Sequence, residues 1–280
     1  MPELPEVEIT RLGLIPLINQ SVSNVVIRNA SMRWPIPAHL PQTLLNQQLI
    51  SLKRRAKYIL AEFESSNVNA SGTLLLHLGM SGRISLLDRN YPPEKHDHFD
   101  IAFQNGSVLR LRDPRRFGAV LWAGLEPNNH ALLAPLGPEP LDNTFNAKYL
   151  HDQLSTRSAA IKVAIMDSHL VVGVGNIYAS ESLFRARIHP ETPAKNLTLK
   201  QCEKLVSEIK LTLNAALDAG GSSLRDFFGV DGNVGYFQQE YFVYGRTDEP
   251  CKVCSKPIKC IRLGQRSTFY CAHCQVLKKS

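Results

Sequence analysis

The 280-residue chain has no cysteine before Cys202 and no apolar run near the roughly 18 residues that a membrane-spanning helix requires. A disulfide framework for its N-terminal part is excluded, and no membrane partner is expected. A basic leader is missing as well. Glu3, Glu6 and Glu8 stand where a secretory signal would carry positive charge, so a cytoplasmic protein is expected. Internal repeats and low-complexity tracts are also absent.

What is present is ordinary in bulk, with 44% hydrophobic and 20% charged residues. The length suits two domains, or one domain with an appendage. The excess of 32 Lys and Arg over 25 Asp and Glu is compatible with a polyanionic partner without establishing one. Its distribution says more. From Phe242 to Ser280 there are eight basic residues and two acidic ones, so this tail carries six of the chain's seven excess positive charges.

Along the chain the texture changes twice. Pro5 begins a short apolar-periodic stretch with Val7, Leu14, Leu17 and Ile18, a helix that Pro16 should bend or end. From Val22 to Trp122 short β-branched or alternating runs are separated by Gly, Pro and Asn, as in VSNVVIRN, KYILAEF, TLLLHLG, GRISLL, DIAFQNGSVLRLR and FGAVLWAG. Asn105-Gly106 lies between two such runs and predicts a type I′ hairpin turn. An antiparallel sandwich or flattened barrel is expected for residues 1–135.

After the Pro-rich joint LGPEPLDNTF the apolar period becomes helical, over residues 136–241. One helix is predicted to start near Asn176, after GVG. Another follows Thr198, which with Gln201 forms a capping box, and buries Cys202, Leu205, Val206, Ile209, Leu213, Ala216 and Leu217 before ending at Gly220-Gly221. Residues 242–276 hold too few large apolar side chains for a core of their own and need a staple.

The staple is legible. Cys251-x2-Cys254 and Cys271-x2-Cys274 are sixteen residues apart, a spacing that brings four thiolates around one tetrahedral Zn2+. Four protein ligands leave no open position, so the metal is expected to be structural. Cys202 reads as core, and Cys260, between the knuckles, as a bystander. The intervening GQRSTFYC predicts a two-stranded ribbon with Arg266 at or near its tip. From the residues alone, Arg266 is equally a phosphate contact or a solvated side chain.

The opening MPELPEVE places a proline behind the initiator methionine, with carboxylates close by. With Met1 removed, Pro2 is a free secondary amine. An α-amino group titrates near pH ~8, so part of it is nucleophilic at neutral pH and forms an iminium with an aldehyde-level carbon. Glu3 and Glu6 are near enough in sequence for proton transfer. By itself, though, the segment reads first as a helix start with acids favoured by the dipole.

PELPEVE, RRAKY, HLGMSGR, KHDHFD, DPRRFGA, LGPEPL, VGVGNIYASESLF, GYFQQEYFVYGR and QRSTFYCAHC, in unbroken order from Pro2 to Cys274, closely resemble formamidopyrimidine-DNA glycosylase, a bacterial repair glycosylase/lyase. The resemblance implies an α+β multidomain fold: an N-terminal β-sandwich flanked by helices, a helix–two-turn–helix domain and a C-terminal β-ribbon zinc finger. It implies base-excision repair of duplex DNA, with removal of oxidised purines such as 8-oxoguanine and formamidopyrimidines and strand cleavage by β,δ-elimination at the resulting abasic site. A monomer is expected.

By the same resemblance Pro2 attacks C1′ and Glu3 is the acid that helps open the sugar, with Glu6 in support. Lys57 serves β-elimination and Arg266 δ-elimination. Met80, Arg115 and Phe117 fill the void left by the extruded nucleotide, although Met80 and Phe117 also fit ordinary core packing. His96, Arg115, Arg157, Lys162 and Asn176 contact the DNA backbone, Asn176 at a helix N-terminus. Residues 222–236 resemble a loop that closes over the lesion. The chain departs from its relatives in having Arg157 where lysine is common, and in its extra Cys260. Leu4 favours the purine-specific branch over the sister family that resembles endonuclease VIII, where glycine is usual. A non-enzymatic zinc-finger protein that senses damage is the alternative from another class; it explains the cysteines but not PELPE or Lys57.

Overall fold

The computed structural model describes residues 2–66, 70–220 and 241–277. These fall into two compact units, the first 2–134 with 219–220, the second Pro135–Asp218 together with 241–277.

The first unit opens with helix α1 (Leu4–Gly13), continued by a 3-10 turn, Ile15–Leu17. Pro16 does end the helix, since a proline inside it would remove an N–H and crowd the preceding turn. Glu3 is the N-cap and Pro5 lies in the first turn, where its missing N–H costs nothing. Eight antiparallel strands follow in two sheets, with the short helix α2 (Leu40–Leu44) between the first two. One has the order β1 (Val22–Ile27), β6 (Asp97–Phe103), β7 (Ser107–Arg112), β5 (Arg83–Asp88). The other has β2 (Gln48–Arg55), β3 (Tyr58–Glu64), β4 (Gly72–His77), β8 (Ala119–Trp122). Both sheets feed one core, in which Val25, Phe99, Ile101 and Leu109 of the first meet Leu49, Ile59, Phe63, Leu74 and Leu76 of the second, with Val7 and Leu14 from α1. This is the expected sandwich. Strand β2 was not among the expected runs, because its second half, Lys53-Arg54-Arg55, masks the β pattern of Leu49 and Leu52.

The β6–β7 hairpin forms where expected, but its turn is not type I′. Only Gly106 is left-handed (φ 90°), and Gly106 N–H donates to Phe103 O at 3.1 Å, so the loop has three residues, Gln104-Asn105-Gly106. Asn105 uses its side-chain oxygen to accept from Ser107 N–H, a local bond that removes any need for a positive φ of its own.

The second unit holds α3 (Ala147–Leu154), the short α4 (Ile161–Ile165), α5 (Asn176–Ala186) and α6 (Leu199–Asp218), then a ribbon of β9 (Lys259–Leu263) and β10 (Arg266–Tyr270). Helix α6 starts at the expected capping box: Thr198 N–H donates to Gln201 Oε1 at 3.0 Å and Gln201 N–H to Thr198 Oγ1 at 3.3 Å. Its buried face is the one predicted except at its end, where Leu217 is only half-buried, and Thr212 joins it. No helix among the described residues is long and apolar enough to cross a membrane.

Candidate active site and metal centre

In the first unit the site is built on the start of α1. Glu3 and Glu6 form a capping box, in which Glu3 N–H donates to Glu6 Oε2 at 2.8 Å, and both side chains are buried. Such a box ordinarily contributes about 1 kcal/mol to a helix. Here it also fixes the backbone that follows half-buried Pro2.

The other side of α1 is pinned to the β2–β3 hairpin. Glu8 accepts from Arg11 at 2.6 Å and from Arg54 Nε at 3.1 Å, and Arg11 Nη1 reaches Leu52 O at 3.2 Å. Burial alone would raise the Glu8 carboxyl, but the two guanidinium groups outweigh it and hold it below the usual range. Arg54 also donates to Ala56 O at 3.1 Å. Ala56, left-handed at φ 54°, and half-buried Lys57 form the two-residue turn. The helix that begins beside Pro2 and the turn that carries Lys57 are thus joined through Glu8 and Arg54. Sequence reasoning gave Glu8 no such part and missed Arg11 and Arg54. The available signal was the (i, i+3) spacing of Glu8 and Arg11.

His77, at the end of β4, stacks near Tyr58, with ring centroids 4.7 Å apart, and accepts from Gly79 N–H through Nδ1 at 3.1 Å. Burial, then repulsion from Lys57 and Arg33, brings its pKa down to about 4, against a smaller opposing pull from Asp113. The imidazole is neutral at physiological pH. Met80 is half-buried, and Phe117 is 42% exposed with the Arg115 guanidinium 4.8 Å from its ring. Neither Arg115 nor Phe117 is a core residue. His96 is half-buried just before β6, and its carbonyl accepts from Asp113 N–H.

The second unit presents Arg266, exposed, directly after a two-residue turn whose Gly264 and Gln265 both have positive φ (51° and 63°). This pair is what a type I′ hairpin demands. Lys162, expected at the DNA backbone, is bonded within the protein. It is 1% exposed, and its ammonium donates to Asn176 Oδ1 at 2.5 Å, Thr268 Oγ1 at 2.8 Å and Ser267 O at 3.2 Å. Desolvating an ammonium costs several kcal/mol, so such burial demands this full set of acceptors. Asn176 also donates to Ser267 O at 3.0 Å. Together they lock β10, one residue from Arg266, to α4 and α5. Arg157 is half-buried in an ion pair with Asp167 (2.7 Å); although burial opposes it, that pair and the His169 N–H bring the Asp167 carboxyl down to about 2.

Cys251, Cys254, Cys271 and Cys274 bring their sulfurs within 4.8 Å of one another, with Cys251···Cys274 at 3.9 Å and Cys254···Cys271 at 3.5 Å. A tetrahedron with Zn–S bonds of about 2.3 Å has sulfur–sulfur edges near 3.8 Å, so the cluster fits one zinc ion. Four thiolates this close repel strongly, and a central dication offsets that repulsion. Outer bonds hold the ligands: Val253 N–H points at Cys251 Sγ (3.5 Å), and Gln275 links Cys271 N–H to Ile188 O (2.9 and 2.8 Å). Buried Glu181 accepts from the N–H groups of Phe242, Val243 and Tyr244, each at 2.9 Å, and anchors the approach to the finger. The loop expected over residues 222–236 lies outside the described residues.

A sandwich whose first helix is capped directly after Pro2, a helical domain and a thiolate-stapled ribbon define a class of multidomain enzyme, and sequence profiles specify which. Residues 1–120 match the formamidopyrimidine-DNA glycosylase N-terminal domain, 136–228 the formamidopyrimidine-DNA glycosylase H2TH domain, and 248–276 a zinc finger found in FPG and IleRS. A formamidopyrimidine-DNA glycosylase of Methylobacillus flagellatus is 66% identical over 275 residues, 98% of this chain and 96% of the relative. That of Saccharophagus degradans is 52% identical over 98% of this chain and all of the relative. Among solved structures, the Thermus thermophilus MutM (FPG) protein superposes with a TM-score of 0.86 at 33% identity, covering 98% of both chains. The Lactococcus lactis Fpg in complex with DNA containing an abasic site superposes with a TM-score of 0.88 at 31% identity, covering 98% of this chain and 100% of that one. The chain belongs to the formamidopyrimidine-DNA glycosylase family. Its zinc site is structural, as the closed set of four sulfur ligands requires.

Proposed function

We propose that the chain excises oxidised purines, 8-oxoguanine and formamidopyrimidines, from duplex DNA and then cuts the strand at the abasic site. Removal of Met1 frees the Pro2 amine. Its lone pair attacks C1′ of the extruded nucleotide, the bond from C1′ to the base breaks, and the sugar ring opens to an iminium ion with a proton supplied by Glu3. The iminium acidifies C2′. Loss of a C2′ proton expels the 3′ phosphate (β-elimination, assisted by Lys57), and a second elimination expels the 5′ phosphate, assisted by Arg266. Glu6 holds Glu3 by its backbone and does not touch substrate.

Extruding a nucleotide costs a few kcal/mol of stacking and pairing, which Met80, Arg115 and Phe117 offset by filling the void. His96, Arg115, Arg157 and Asn176 contact the phosphates. Lys162 acts on the backbone indirectly, through Asn176 and the Arg266 strand. The working division is 1–135 for most of the chemistry, 136–241 for DNA grip and 242–276 for DNA grip and, through Arg266, the second elimination, in a monomer.

The observation that carries this reading is the pinning of the Lys57 turn to the helix that starts beside Pro2, by way of Glu8 and Arg54. Borohydride should trap the protein on DNA containing 8-oxoguanine opposite cytosine, with peptide mapping placing the adduct on residue 2 and intact mass confirming the loss of Met1. An adduct on lysine alone, or lesion binding without base release, would overturn it. Release of thymine glycol faster than 8-oxoguanine would assign the chain to the pyrimidine-specific branch.

A further inference from the structure

Two loops of the first unit bear the side chains assigned above to the void: 78–82, between β4 and β5, with Met80, and 113–118, between β7 and β8, with Arg115 and Phe117. Each loop crosses from one sheet to the other. Because β4 pairs with β8 and β5 with β7, the two crossings run side by side, flanked by the register pairs His77–Ala119 and Arg83–Arg112. Their backbones touch. A Cβ on Gly79 would lie 2.4 Å from the carbonyl carbon of Phe117, and one on Gly118 would lie 2.6 Å from His77 O.

One side chain ties this seam together. The Asp113 carboxylate is fully buried. Its Oδ1 accepts from the Ser81 hydroxyl of the first loop at 2.7 Å and from Arg115 N–H at 3.3 Å, and its Oδ2 accepts from Gly118 N–H at 2.8 Å. The Asp113 carbonyl, which can only accept, takes the Nε2 proton of buried His98 at 2.9 Å, and this fixes the tautomer of that ring. The carboxylate therefore reaches the first loop and both ends of the second.

We propose that Asp113 is a positioning residue that locks the two loops into one preformed wedge, so that Met80, Arg115 and Phe117 enter the duplex together. The inference rests on the void-filling reading given under the proposed function. A preassembled wedge avoids ordering two loops at the moment of extrusion, a cost otherwise charged to every base-flipping event. The carboxylate is needed because all three of its partners donate. In Asp113→Asn one arm becomes a donor: turned toward Gly118 it meets an N–H that cannot accept, and turned toward Ser81 it removes the oxygen that the Ser81 hydroxyl and the Arg115 N–H share.

The test compares base release from duplex DNA containing 8-oxoguanine with borohydride trapping on a single-stranded oligonucleotide carrying a preformed abasic site, which has no helix to open. Asp113→Asn is expected to slow base release about 30-fold, and Ser81→Ala about 5-fold, while trapping on the single strand stays within about 3-fold of wild type. A general structural defect would lower both readouts together, and that result, or base release unchanged in both variants, overturns the proposal. If Asp113→Asn does not fold, Ser81→Ala decides by the same two readouts. Wild-type protein that neither releases base nor traps would instead overturn the proposed function itself.

Discussion

The β2–β3 hairpin and the β9–β10 ribbon each place a cation at or beside a two-residue turn, Lys57 in one and Arg266 in the other. They are held by different means. Strand β3 is paired on both sides, by β2 and β4, and its inner face joins a core fed by both sheets, so the Glu8–Arg54 link aims the Lys57 turn from an already rigid strand. Strand β10 pairs with β9 alone, and the apolar cluster beneath it is small: Phe184, Val243 and Ile258 with the buried cysteines. The aim of Arg266 depends on the metal and on the Lys162–Asn176 lock. A hairpin within a sandwich inherits its rigidity, whereas a ribbon at the end of a chain must acquire it from charge and coordination.

The largest effect should come from removing the metal. Chelation, or Cys271→Ser, is expected to weaken lesion-duplex binding at least about 100-fold, because zinc binding and folding of such a finger are one equilibrium. Both tryptophans of the chain, Trp34 and Trp122, lie in the first unit, so their emission should be unchanged while the near-ultraviolet signal of Tyr241, Tyr244 and Tyr270 collapses. A finger that kept its tyrosine signal without metal would erase the contrast between the two hairpins.

Next is Lys162→Met. It removes a buried charge but strands the acceptors on Asn176, Ser267 and Thr268, and should cost the second unit about 3 kcal/mol. In the first unit Arg54→Gln should cost only about 1–2 kcal/mol, while slowing β-elimination about 10-fold through a loosened Lys57 turn. Urea titrations followed separately by tryptophan emission and by the near-ultraviolet tyrosine signal measure both. Equal losses would mean that the two hairpins are supported alike.

An effect confined to acid pH is written into His77. Its folded pKa of about 4 lies below the unfolded value near 6.5, so between these the unfolded chain binds more protons. The contribution is complete above pH 6.5 and is lost as pH falls through about 4, amounting to at most about 3 kcal/mol. Protonation also removes the acceptor that Gly79 N–H uses beside Met80. His77→Gln should flatten the acid limb of the stability curve, and a curve of unchanged slope would show that the imidazole does not titrate there.

What was legible in the sequence, and what was not, follows a physical line. Local signals came through. The Thr198–Gln201 box, the paired CxxC knuckles and the period of α6 involve residues within a turn or two of each other, and their geometry is fixed by backbone rules. Long-range polar choices did not. Nothing near Lys162 in sequence announces that its ammonium will be buried against Thr268, and nothing near Asp113 announces Ser81. Strand β2 was hidden by three consecutive basic residues, two of which, Lys53 and Arg54, form ion pairs with Glu62 and Glu8. In the candidate site, the residues that touch substrate in the proposed chemistry were found by resemblance, while those that aim them required coordinates.

The smallest effect concerns Cys260. It lies between the zinc ligands in sequence, yet it sits on β9 opposite Phe269, and its side chain is exposed. Its Sγ makes only a long contact, 3.9 Å, with the carbonyl of its neighbour Ile261, and the four sulfurs that cluster exclude it. Cys260→Ser keeps the size and polarity of an exposed strand position, so stability should change by less than about 0.5 kcal/mol, with one zinc per chain retained. The measurement that matters is metal stoichiometry by atomic emission beside the variant's melting curve. A fall in zinc content would mean that the fifth thiol exchanges with a ligand, and the finger would then be held by a shifting set of sulfurs instead of a fixed tetrahedron. That would reverse the contrast between the hairpins, since the ribbon carrying Arg266 would be anchored less firmly than its geometry implies.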